Sequence, residues 1–187
     1  MKQYLFCSLV FLFGGLSYTN VQAQAFRFEQ LSAEEGWQGN AVNSILQDHR
    51  GFLWIATWSG LFRYDGYELK AYRQDPADEN GLQSNYVISL FEDSKNRLWI
   101  GTSYTGLYRY DEAQDDFINY AQEANDMNSL SNNNVWAIVE DPSGFLWIGT
   151  ENGLNRFDPN TGQFLHFFHS EKDERSLSHN FVYSLAL

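Results

Sequence analysis

Residues 144–158 read Gly144-Phe-Leu-Trp147-Ile-Gly-Thr150-Glu-Asn-Gly153-Leu-Asn-Arg156-Phe-Asp158, and this stretch occurs three times in the chain. The earlier copies contain Gly51-Phe-Leu-Trp54-Ile-Ala-Thr57 and Asn96-Arg-Leu-Trp99-Ile-Gly-Thr102. Each continues into Gly-Leu-x-Arg-aromatic-Asp, at Gly60 to Asp65, Gly106 to Asp111 and Gly153 to Asp158. Upstream of each copy stands Asn-x-Val, beginning at Asn40, Asn85 and Asn133, followed by an aspartate at Asp48, Asp93 and Asp141. The tryptophans are 45 and 48 residues apart. A fourth copy begins at Asn180-Phe-Val-Tyr-Ser-Leu and reaches Leu187, where earlier copies have Gln47, Glu92 and Glu140.

Each period reads as four short strands. In the first copy they are about Val42 to Gln47, Phe52 to Thr57, Leu61 to Tyr64 and Tyr67 to Arg73. Between them lie the turns Asp48-His-Arg-Gly51, Trp58-Ser-Gly60 and Asp65-Gly66, whose Asp and Gly content suits tight reversals. Strand two, Phe-Leu-Trp-Ile, is apolar on both sides of the pleat, as expected for a strand covered on both faces. Strand four alternates, as in Glu68-Leu69-Lys70-Ala71-Tyr72-Arg73, which suits an outer edge meeting water. Four strands in a period of this length predict an all-β fold of propeller blades.

The expected organisation is therefore a partial β-propeller. A signal peptide covers 1–23 and an N-terminal strand with linker covers 24–39. The blades are 40–84, 85–132 and 133–179, and 180–187 supplies the first strand of a fourth. Within 24–39, Phe26 to Leu31 alternates like a fourth strand and is expected to complete the last blade of a closed ring. Propellers close with about four blades or more, so three blades and a stub read as a fragment with open, aggregation-prone apolar faces.

Export is written at the N-terminus. Lys2 precedes an apolar run from Tyr4 to Leu16, and Val21-Gln22-Ala23 and Ala23-Gln24-Ala25 fit small-x-small cleavage sites. The run falls short of the roughly 20 apolar residues of a membrane span. Cys7, the one cysteine, lies inside the signal, so the mature chain forms no internal disulfide. Removing the signal takes away one Lys and no acid. It leaves 11 basic and 24 acidic side chains, a formal charge of −13. Such a surface repels phosphate backbones and anionic lipid heads, which excludes nucleic acid as a partner.

Leu-Trp-Ile-Gly-Thr, Gly-Leu and Arg-Phe-Asp, with Asn-x-Val upstream, resemble the two-component regulator propeller repeat over residues 40 to 187. The resemblance implies a periplasmic sensor region, usually many-bladed. In that family a transmembrane helix and a signalling module follow, often a histidine kinase or a diguanylate cyclase. By the same resemblance the protein is expected to be anchored in the inner membrane, to bind a periplasmic ligand such as an oligosaccharide, to pack against further blades and to form a homodimer. No enzymatic activity and no cofactor are expected of this chain itself; the alternatives are a secreted binding or scaffold propeller without a signalling role and, after it, a glycan-active enzyme on a propeller scaffold.

Residues copied into every repeat read as structural: Trp54, Trp99 and Trp147 as packing between blades, and Asp48, Asp93 and Asp141 as acceptors for turn amides. Residues that differ between copies are better binding candidates, since loops carry function on a rigid scaffold. The turn after strand two lies on the rim where strand one begins. There the copies diverge: Trp58, then Tyr104 and Thr105, then Glu151 and Asn152, with Trp37 as a neighbour. These six form the expected ligand rim. His166 and His169 sit on a predicted strand four and face opposite ways, so they make no metal pair. The acidic linkers 75–79 and 171–174 lack a repeated calcium loop. No zinc motif, nucleophile elbow or phosphate loop is present.

Overall fold

The structure, a computed structural model, describes residues 41–187. Twelve strands lie within them. The first repeat holds β1 (Val42–Gln47), β2 (Leu53–Thr57), β3 (Gly60–Tyr64) and β4 (Leu69–Tyr72). The second holds β5 (Val87–Glu92), β6 (Leu98–Thr102), β7 (Leu107–Asp111) and β8 (Asp116–Tyr120). The third holds β9 (Val135–Glu140), β10 (Leu146–Thr150), β11 (Gly153–Asp158) and β12 (Gln163–Phe167). Each set of four forms its own sheet, antiparallel and in chain order. The signal peptide, the segment 24–39, Asn40 and Trp37 lie outside the described residues.

Two expectations of detail are corrected. Strand four of the first repeat starts at Leu69 rather than Tyr67. The Asp65 carboxylate accepts the amides of Tyr67 (2.8 Å) and Glu68 (2.7 Å), which draws both out of the ladder. Residues 180–187 were expected to form a strand, but they pair with none. They are held instead through Asn180 and Val182: Gly153 N donates to Asn180 O (2.7 Å) and Val182 N to Thr150 O (2.9 Å).

The repeated aspartates build the turn between the first two strands of each sheet. One oxygen of Asp93 accepts the amides of Lys95 (3.0 Å) and Arg97 (2.9 Å), while the other accepts the indole N–H of Trp99 (2.9 Å). Asp48 does the same for Arg50, Phe52 and Trp54, and Asp141 for Ser143, Phe145 and Trp147. A single side chain thus closes the turn and fixes a core tryptophan six residues on. The indole N–H could not otherwise be buried without losing a hydrogen bond.

The sheets pack face to face, with β1 beside β5 and β5 beside β9. Trp54 joins Leu98, Ile100 and Tyr110 of the second sheet in one core. Trp99 joins Leu146, Ile148 and Phe157 of the third sheet in the next. Both indoles are fully buried, each worth about 3 kcal/mol of apolar transfer. Trp147 is only half-buried and stacks on Phe167 (5.4 Å). The expectation that repeated tryptophans pack between sheets describes Trp54 and Trp99 directly.

A second repeated device locks neighbouring sheets. The glycine at the start of strand three donates its N–H to the Asn carbonyl that opens the next repeat: Gly60 to Asn85 (2.9 Å), Gly106 to Asn133 (3.0 Å), Gly153 to Asn180 (2.7 Å). The same asparagines accept, through their side-chain oxygens, the amides of Gln74 (2.8 Å), Gln122 (2.7 Å) and His169 (2.6 Å). The Asn of Asn-x-Val is therefore an inter-repeat clasp.

Candidate functional site

The innermost strands carry a break in register at the same place in every repeat. In β1 the pairing with β2 jumps from Val42 to Ser44, and in β5 the pairing with β6 jumps from Val87 to Ser89. In β9, Val135 and Ala137 pair with β10 while Trp136 is passed over. The skipped residues are Asn43, Ile88 and Trp136, each the fourth of an Asn-x-Val-x motif. A bulge releases its residue from the ladder and re-aims the side chain. All three line a single cavity of about 430 Å³, and the equivalent residue of the fourth copy, Tyr183, lines it too. One position per repeat, converging on one cavity, marks the axis about which the sheets are arranged.

Trp58, Tyr86, Ser103 and Tyr104 complete the wall. Trp58 and Tyr104 are 62% and 71% exposed, so their rings stand out at the rim instead of joining the core. Tyr104 meets Tyr86 edge-on at 6.3 Å. Trp136 packs against Phe181 (5.5 Å) and Tyr183 (5.1 Å). Its indole N–H is buried without a hydrogen-bond partner, an unusual state for a donor that buried tryptophans normally satisfy. No Asp, Glu, Lys or Arg lines this cavity. Tyr104 also has a left-handed backbone, φ +78°, which is strained for an aromatic residue.

Of the rim residues expected from sequence, the structure brings Trp58 and Tyr104 together around this cavity. Thr105 turns into its own loop, where its hydroxyl bonds Thr102 (2.9 Å) and its carbonyl accepts Asn119 (3.0 Å). Glu151 bonds the side chain of Asn134. Asn152 lines a separate hollow of about 260 Å³ with His166 and Phe168. Sequence reasoning missed Asn43, Tyr86, Ile88, Trp136 and Tyr183. For all but Tyr86 the signal was present: after the fixed Val of Asn-x-Val-x the last position changes from Asn43 to Ile88 to Trp136 to Tyr183.

The polar groups weighed for other chemistry have structural partners. The His166 ring donates from Nε2 to Ser129 O (2.7 Å) and the His169 ring from Nδ1 to Leu177 O (2.6 Å). β12 ends at Phe167, so His169 lies past the strand on which it was expected. In the acidic linkers, Asp75, Asp78 and Asp173 accept amides of their own turns. Among the described residues no cluster of three His, Cys, Asp or Glu is placed to hold a metal ion. No helix among them is long and apolar enough to cross a membrane. Near the outer edge, burial alone would raise the Asp115 carboxyl. Hydrogen bonds from Lys70, Tyr110 and Tyr72 outweigh it and hold the group at about 2.

Stacked four-stranded sheets, inter-repeat clasps and an axial cavity define an all-β repeat protein of the propeller class. The two component regulator propeller model matches the chain at residues 36–59, 81–104 and 129–152. The chain is similar to the extracellular domain of BT3049 from B. thetaiotaomicron, assigned to the hybrid two component systems. Identity is 28% and TM-score 0.74, over 83% of this chain and 22% of that one. The corresponding domain of BT4673 from the same organism matches at 25% identity and TM-score 0.63, over 80% and 19%. Histidine kinase P4 of Formosa agariphila is 34% identical over 74 residues, 40% of this chain and 5% of the kinase. The chain thus spans about a fifth of these solved domains and a small part of the kinase.

Proposed function

We propose that this chain is the ligand-sensing propeller segment of a periplasmic two-component sensor, and that the ligand binds in the axial cavity. One observation carries the reading: four successive repeats each place a different side chain, Asn43, Ile88, Trp136 and Tyr183, at the same point of one cavity. Packing alone would favour one residue type at an equivalent position, as it does for Trp54 and Trp99. A cavity walled by side chains of differing shape and polarity suits recognition of an asymmetric molecule. The relatives' assignment as extracellular domains of hybrid two component systems supports the sensor role and the periplasmic location. The export signal at the N-terminus supports the location independently.

The wall favours an uncharged ligand with flat apolar faces and hydrogen-bonding groups, such as a neutral oligosaccharide. Aromatic rings offer the faces, while Asn43 and Ser103 offer the polar contacts. The formal charge of the whole chain, −12, disfavours polyanions. Signalling would follow from unequal ligand affinity for two arrangements of paired propellers joined to a kinase or cyclase. In this reading the segment binds and does not catalyse.

The test is a titration of the chain with a panel of neutral and acidic oligosaccharides, read by tryptophan emission. Saturable change with a neutral member, abolished in Trp58→Ala, supports the reading. Binding that survives Trp58→Ala and Tyr104→Ala alike places the ligand elsewhere and overturns the cavity assignment.

A further inference from the structure

Asn134 is the second residue of the third Asn-x-Val motif, where the other described copies have Ala41, Tyr86 and Phe181. Its side chain alone bridges two rim turns. The amide oxygen accepts the backbone N–H of Tyr104 (2.8 Å) and the hydroxyl of Ser103 (2.9 Å) in the second repeat. The amide nitrogen donates to the Glu151 carboxylate in the third. Glu151 returns a bond of its own, its N–H donating to Asn134 O (3.1 Å). These contacts fix which end of the Asn134 amide faces which turn: only the oxygen can accept from Tyr104, and only the nitrogen can serve a carboxylate.

Tyr104 needs such a hold. A non-glycine residue with φ +78° persists where its surroundings over-determine it. The first repeat reaches its turn glycine through Trp58-Ser59 and the third through Glu151-Asn152, whereas the second has the longer Ser103-Tyr104-Thr105. The extra residue must be absorbed, and Tyr104 absorbs it in the left-handed region with its ring at the cavity.

We infer that Asn134, oriented by Glu151, is a positioning residue for the axial cavity: it holds Tyr104 in the backbone conformation that presents the ring to ligand. The inference rests on the reading of that cavity as the ligand site. It assigns Glu151 a role in recognition although Glu151 does not line the wall. It also couples repeats, because a ligand that moves Tyr104 works against a strap anchored in the third sheet.

Amide exchange in the ¹⁵N-labelled full chain tests this without any ligand. In Asn134→Ala the Tyr104 amide exchanges at least about tenfold faster, as loss of its one acceptor requires. The Gly106 amide, bonded to Asn133 O, stays as protected as in the wild type. Glu151→Ala accelerates Tyr104 exchange by about threefold or more, and Glu151→Gln, which keeps an acceptor oxygen for the Asn134 nitrogen, restores protection. Unchanged Tyr104 exchange in Asn134→Ala overturns the inference. So does equal exchange in the two Glu151 variants. Should Asn134→Ala lose its dispersed spectrum, Asn134→Asp keeps the acceptor but loses the donor and faces Glu151 with like charge. Intermediate acceleration is then expected, and unchanged exchange again overturns the role of Glu151. Failure of the cavity as a ligand site would show instead in the oligosaccharide titration, with these exchange rates unaffected.

Discussion

Asp93 Oδ2 accepts the indole N–H of Trp99 at 2.9 Å, while Asp93 Oδ1 holds the two amides that close the turn between them. Asp93 is 3% exposed and Trp99 is fully buried, so neither group can turn to water if the other is lost. Arg97 adds an ion pair to the same carboxylate at 2.6 Å. Replacing Asp93 by Ala orphans the indole donor and turn amides together, and the expected loss is about 2–4 kcal/mol, read by urea unfolding. Asp141→Ala should cost less, because its Trp147 is only half-buried and the freed indole can be hydrated.

Gly101 marks a close approach of the second and third sheets, and Gly149 one of the third sheet and the segment 180–187. A Cβ on Gly101 would meet Ser89 Oγ and sit 2.7 Å from Val135 Cγ1 and 2.9 Å from Val135 O. On Gly149 it would sit 2.6 Å from Val182 O. Gly101→Ala should therefore destabilise by about 1–3 kcal/mol through overpacking against backbone that cannot yield. Gly66→Ala is the control: its φ is +100° but nothing lies within 4 Å, so backbone strain alone remains, about 1 kcal/mol. Thermal melts of the two variants separate close approach from turn conformation. The first repeat has Ala56 at the equivalent position, fully buried against the second sheet, so that interface already accommodates a methyl group.

Much of this was legible in the sequence. Recurrence of Trp54, Trp99 and Trp147 gave the sheet count, and the Asp-to-Gly spacing gave the turns. The indole bond to each aspartate was not visible, because the hairpin register, which pairs Leu46 with Trp54 and Phe91 with Trp99, brings residue six back beside the turn. The axial cavity was half legible. Trp58 and Tyr104 stood out as variable turn residues, but Ile88 and Trp136 were hidden inside strands read as regular. Only the bulge takes them out of the ladder, and their variability at one motif position was the one trace of it in the sequence. A further pattern emerges from the inter-repeat contacts. Glu92 accepts from His49 (2.6 Å to the ring) and Glu140 from Ser94 (2.7 Å to its N–H), each acid closing the turn of the repeat before. At the next junction the turn residue is Pro142, which has no N–H, and the acid's position holds Leu187.

Asp115 gives the fold an acid-sensitive contact. Its carboxylate receives Lys70, the hydroxyls of Tyr72 (2.7 Å) and Tyr110 (2.6 Å), and lies 3.6 Å from Arg63. These partners hold it at about 2, below its ordinary value of 3.8. A depressed carboxyl contributes stability that is complete above the unfolded value and is lost as pH falls from about 4 toward 2. Because the side chain is 39% exposed, solvent screening limits the contribution to about 1 kcal/mol. Unfolding free energies of wild type and Asp115→Asn should therefore differ most near neutrality and converge toward pH 2. Asparagine tolerates the left-handed φ of +54° at this site. A gap that stays constant down to pH 2 would show that the cluster is held by packing.

Trp136 offers the sharpest separation of binding from stability. Its indole N–H is buried and unpartnered in the free protein, so the hydrogen bond that Trp136→Phe deletes does not exist there. Phenylalanine keeps an aromatic face toward Phe181 and Tyr183 and removes an unsatisfied donor. Stability of the free chain should change by less than about 1 kcal/mol, since the relief of an unmet donor offsets the lost ring area. A ligand whose binding uncovers this N–H and supplies it with an acceptor gains a bond in the wild type and none in the variant. Affinity for the oligosaccharide found by titration should then fall by about tenfold or more, as one buried hydrogen bond implies. Equal affinity in the two proteins, with equal melting temperatures, would mean that the ligand leaves this donor unmet and that Trp136 serves only as a wall.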